Sequence, residues 1–105
     1  MYAEARARGA NFPDAAGMTA DEAVNLVRER AGLPPLVGAT LEQILDERRA
    51  ELALEEDRFF DLVRTGQAAT VLGPKGFAAG KNEVFPIPAA QLQLNTNLTQ
   101  NQGYN

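Results

Sequence analysis

The sequence contains no cysteine and no histidine. The first absence excludes disulfides, thiolate chemistry and cysteine-held zinc. The second removes the side chain that most often serves as a base near neutral pH and most often binds metals. Together they eliminate most catalytic templates. Basic residues are also in deficit: 10 Lys and Arg stand against 14 Asp and Glu, a net charge of -4. The arginines are interleaved with acids instead of clustered, which disfavours a phosphate-binding surface and hence a nucleic-acid role. No apolar run is long enough to cross a bilayer as a helix. Met1-Tyr2-Ala3-Glu4-Ala5-Arg6 has neither the basic nor the apolar region of a secretory signal. Taken alone the chain therefore reads as cytoplasmic, a reading that does not bind a piece cut from a longer protein.

What remains is a chain of 105 residues, 45% of them hydrophobic. That is one domain or less, with a modest core, and too apolar for wholesale disorder. The pattern predicts a mainly α fold. Residues 2–8 read as the last turns of a helix, stopped by Gly9, Asn11 and Pro13, with a loop over 11–18. Thr19 and Glu22 form a capping box, followed by a stripe of Ala23, Leu26, Val27 and Arg30 that ends at Gly32 and Leu33-Pro34-Pro35-Leu36. Helix, loop and helix make a hairpin of tetratricopeptide-like type, although a single unit shows no repeat period. Thr40 and Gln43 form a second box, with Leu41, Ile44, Leu45, Arg48 and Leu52 on the buried stripe. Asp57 is placed to cap a short helix over 58–64, ended by Gly66, and residues 67–72 add a turn or two. Residues 75–82 read as a loop. Val84-Phe85-Pro86-Ile87-Pro88 must be extended, because each proline pushes its predecessor out of the helical region. Residues 89–94 read as a short helix with Leu92 inward. The Asn-, Gln- and Thr-rich tail is expected to be ordered only against something else. This divides the chain into 1–36, 40–72 and 73–105.

The densest chemistry lies in Arg48, Arg49, Glu51, Glu55, Arg58, Asp61 and Arg64. One reading is a polar sugar site. The other is a structural network of guanidinium forks and carboxylates tying the Leu41 helix to the Arg58 helix. Alternation with Leu52, Leu54, Phe59, Phe60 and Leu62 places these charges at a packed seam and favours the second. Glu55-Glu56-Asp57 makes a poor glycosidase pair, since that chemistry needs two carboxyls facing each other roughly 5 to 9 Å apart. Gly73-Pro74-Lys75-Gly76 lacks the ending of a phosphate loop. Asn97-Leu98-Thr99 matches a glycosylation sequon too short to carry weight. Of the other aromatics, Phe85 is expected in the core. Phe12, Phe77 and Tyr104 are too scattered for a sugar platform. No catalytic residue, metal ligand or cofactor is expected.

Three segments, in order, resemble the SusD/RagB family. Asn25-Leu26-Val27-Arg28-Glu29-Arg30-Ala31-Gly32-Leu33-Pro34 is similar to the family's N-x-V-R-x-R-A-G-L-P helix end. Glu47-Arg48-Arg49-Ala50-Glu51-Leu52-Ala53-Leu54-Glu55 and Arg58-Phe59-Phe60-Asp61-Leu62-Val63-Arg64-Thr65-Gly66 carry its strongest signature. Phe85-Pro86-Ile87-Pro88, with Asn95 to Tyr104, resembles its closing F-P-I-P and N-P-x-L-x-Q-N-P-G-Y. The departures are local: Glu56 stands where the family usually has Gly, Asp57 where His or Gln is common, and Thr96 and Gln102 where the tail carries Pro.

The resemblance implies the C-terminal piece of an outward-facing, lipid-anchored outer-membrane protein. Such proteins capture oligosaccharides or other nutrients beside a TonB-dependent transporter and are not enzymes. It implies tetratricopeptide-like helix pairs, and it makes Arg48, Arg49, Glu51, Glu55, Arg58, Phe59, Asp61 and Arg64 a structural signature instead of a ligand site. The alternative is a small α-helical protein–protein interaction module without sugar binding. Truncation would leave Leu26, Val27, Leu45 and Phe60 partly uncovered, so the isolated piece is expected to self-associate.

Overall fold

The computed structural model describes residues 1–10 and 17–104. Phe12 and most of the loop expected over 11–18 lie outside them. The elements run α1 (Tyr2–Ala7), α2 (Ala20–Arg30), α3 (Leu41–Glu51), α4 (Arg58–Arg64), α5 (Ala68–Leu72), a 3-10 turn (Gly73–Lys75) and α6 (Ala89–Leu94). Among the described residues there is no strand, and the fold is mainly α. The chain forms two compact units, Met1–Glu55 and Glu56–Asn105. The border falls inside the signature segment.

In the first unit both long helices begin where local chemistry dictates. Thr19 is extended (φ −73°, ψ 169°) and its hydroxyl accepts from the Glu22 backbone N–H. The Thr19 N–H donates back to the Glu22 carboxylate at 2.7 Å. Thr40 and Gln43 repeat the arrangement at α3, with the return bond at 2.9 Å. Each box satisfies two donors that a helix start would otherwise leave open. At the far end of α2 the Gly32 N–H donates to Glu29 and the Leu33 N–H to Arg28. This closure needs a left-handed residue, and Gly32 supplies it at φ +70°.

The core of this unit is small: Ala3, Val24 and Ile44 are buried, with Ala20, Ala23, Leu36 and Ala39 packed against them. The stripe expected on α2 holds in part: Ala23 packs on the core and Val27 is half-buried, but Leu26 faces outward. Val24 is 3% exposed whereas Leu26 is 56% exposed. At about 100° per residue Leu26 lies roughly 200° around the helix from Val24. Ala20 and Val24 set the inward face, because alanines at the seam let the backbones approach. Arg30 is exposed as well. On α3 Ile44 is buried and Leu41, Leu45, Arg48 and Leu52 are half-buried, on the stripe the sequence indicates.

A second, polar stripe of α2 holds the connection to α3. Asn25 donates from Nδ2 to the Leu36 carbonyl and accepts from the Leu36 N–H, both at 2.8 Å. One turn earlier, the Asp21 carboxylate accepts from the Gly38 N–H (2.6 Å) and the Ala39 N–H (2.8 Å). Nearly one turn later, Arg28 donates from Nε to the Pro34 carbonyl at 2.8 Å. Asp21, Asn25 and Arg28 share one face by the i, i+4, i+7 spacing. A loop whose own sequence offers no regular pairing is thus satisfied from the helix it leaves.

In the second unit Leu62 and Ala68 are buried. Asp57 precedes α4 but does not cap it through its side chain; its backbone is helical (φ −75°, ψ −18°). A capping carboxylate needs an extended residue to turn back on the helix start, so that expectation is corrected. The Gly66 N–H donates to Val63 and the Gln67 N–H to Leu62, with Gly66 at φ +73°, the same closure as at Gly32. Gly73-Pro74 does not break the chain: Pro74 sits in the first turn of the 3-10 segment, where its missing N–H costs nothing.

Residues 85–88 carry no regular hydrogen-bonded structure, and the tail lies against this stretch. Gln100 accepts from the Ile87 N–H at 2.8 Å and donates to the Ile87 carbonyl at 2.9 Å. Asn101 donates to the Phe85 carbonyl and the Tyr104 hydroxyl to the Val84 carbonyl. The Lys81 ammonium stands 4.9 Å from the centre of the Tyr104 ring, a cation–π distance. Gly103 passes close by; a Cβ there would meet the Lys81 stem at 3.0 Å. On α6 Leu92 is half-buried. Phe85, expected in the core, is 72% exposed. Its ring leans on Phe59 with centroids 6.3 Å apart, and the rest of it faces outward.

Candidate functional site

In the first unit Arg48 is half-buried at the rim of a pocket of about 290 Å³. Ala3, Val24, Val27, Ile44 and Leu52 make its apolar wall, and Glu47 and Glu51 stand with Arg48 at its edge. Both carboxylates are engaged. Glu47 binds Arg28 Nη1 at 2.5 Å, with the two side chains 11% and 16% exposed. Glu51 binds Arg30. Nearby, the buried Glu4 accepts from Arg8 Nε at 2.9 Å. The carboxylates of Glu47 and Glu51 are thus held in ion pairs beside apolar lining residues.

Arg49 and Glu55 are exposed. In the second unit Arg58 opens α4 and is half-buried. Asp61 is buried, and Arg64 Nε donates to it at 2.7 Å. Phe59 is the hub of an aromatic group: Phe60 meets it edge-on at 5.7 Å and 80°, while Phe77 and Phe85 are tilted, each at 6.3 Å. The pairing of Arg64 with Asp61 brings two signature residues together, whereas the rings about Phe59 lie outside the signature. Glu51 likewise reaches a partner outside the signature.

Among the described residues no group of His, Cys, Asp or Glu is placed to hold a metal ion. None of their helices is long and apolar enough to cross a membrane. The Glu22 carboxyl sits below its ordinary value because the Thr19 backbone N–H donates to it, with the Thr19 hydroxyl adding to the effect. That is helix-start chemistry, not a tuned acid or base.

Reading the sequence missed Asp21, Asn25, Arg28 and Gln100 as the residues that hold the loops. The available signal was the quoted pattern itself, in which Asn25, Arg28 and Gln100 all stand at matched positions. Their partners lie 11, 6 and 13 residues away, beyond the reach of helical spacing.

The SusD family model matches residues 1–82. SusD-like protein P38 of Formosa agariphila is 35% identical over 96 residues, covering 79% of this chain and 19% of that one. The starch-binding protein SusD of Bacteroides thetaiotaomicron is 35% identical over 91 residues, covering 77% and 16%. A solved laminarin binding SusD-like protein superposes with a TM-score of 0.78 at 48% identity, over 85% of this chain and 19% of that chain. The chain thus spans about a fifth of the length of these relatives.

Proposed function

Because the chain belongs to the SusD/RagB family, we propose that it is the C-terminal part of a non-catalytic, carbohydrate-binding component of a nutrient-uptake system. The observation that carries this reading is the shared fold, at 48% identity, with a protein that binds laminarin. The similarity to a starch-binding protein supports the same ligand class. On this reading the whole protein sits at the outer membrane, facing outward through a lipid anchor, with a TonB-dependent transporter as its partner. In that protein the present residues act as scaffold. Their charged groups are spent on one another, as Arg28–Glu47 and Arg64–Asp61 illustrate, and their loops are held by side-chain amides.

The test is calorimetric titration of the full-length protein with laminarin and starch oligosaccharides, alongside fractionation of source cells. Saturable binding to one glycan by a protein in the outer membrane, co-purifying with a β-barrel transporter, is expected. A full-length protein that binds neither glycan class and leaves no barrel in the pull-down would overturn the proposal in favour of a helical interaction module.

A further inference from the structure

We draw no further inference here: the strongest candidate, the exposed aromatic face that Phe60 and Phe85 make around Phe59 in the second unit, has rings tilted too far from one plane to serve as a stacking platform, and nothing in the structure shows what covers it.

Discussion

Asn25 and Gln100 perform the same act in different settings. Each side-chain amide grips a single distant residue by both its N–H and its carbonyl, as a neighbouring strand would: Asn25 on Leu36, Gln100 on Ile87. Asn25 projects from an 11-residue helix with a complete capping box. Gln100 projects from an irregular tail whose neighbours Asn101 and Tyr104 must dock at the same time. A side chain on a helix has already lost its backbone freedom before it bonds. A side chain on a tail brings the ordering cost of its own segment to the contact. Nearly equal bond lengths therefore conceal unequal net stabilisation, and the difference is one of carrier, not of chemistry.

Replacing the first clamp should have the largest effect. Asn25→Ala leaves both polar groups of Leu36 without their partner in a partly buried setting, and a loss of about 2 kcal/mol is expected. Urea denaturation of the variant would measure it, and a midpoint unchanged from the parent would refute the assigned role. Gln100→Ala should cost about 1 kcal/mol, because the displaced tail regains entropy and Ile87 regains water. The contrast is sharpest by amide exchange: Ile87 should lose protection while Leu36 keeps it. Parallel loss at both amides would mean that the two clamps are not independent.

A smaller effect of opposite sign is expected at Glu56. Among the described residues, Leu54 and Glu56 are the non-glycine residues at positive φ, +71° and +64°. A side chain in that region costs of order 1 kcal/mol. Glu56→Gly should remove the strain at one position and give back part of the gain as chain entropy, for a net stabilisation of roughly 0.5 kcal/mol. A rise in thermal midpoint checks it; a fall would show that the Glu56 side chain makes a compensating contact.

The smallest effect is pH-dependent. The Glu22 carboxyl is lowered in the folded state. Its contribution is therefore fully present above the ordinary carboxylate range, and is lost as pH falls through the lowered folded value. Glu22→Gln should remove this pH-dependent part, lowering neutral stability slightly and flattening the acid limb, so that the two profiles draw together at low pH. Identical acid limbs would show that the Thr19–Glu22 exchange does not form in solution.

These comparisons also mark what the sequence makes legible. The starts of α2 and α3 are readable because Thr19 and Thr40 act on donors three residues away. The ends at Gly32 and Gly66 are readable because a left-handed residue closes the helix locally. The inward face of α2 is readable only in part: Ala23 and Val27 stand on it as their spacing indicates, but Leu26 outranks Ala20 in hydropathy while the small residue decides the approach. Asp57 has the composition of a cap but not its backbone. Phe85 is apolar, yet its position is set by docking against Phe59 and by Asn101 holding its carbonyl. Of the signature residues, Arg48 and Phe59 occupy semi-buried sites that their apolar neighbours suggest. The engagement of Glu51 by Arg30 depends on how two helices lie side by side, which no local pattern records.

The polar stripe of α2 has a kinetic consequence. Asn25 finds Leu36 only 11 residues along the chain, and Arg28 finds Glu47 only 19 along. Loops of this length close in well under a microsecond, and contacts of short range favour rapid folding. The segment from α2 through its following loop therefore has the makings of an early nucleus, in which the loop that runs back along the helix is fastened as soon as the helix that carries its fasteners exists.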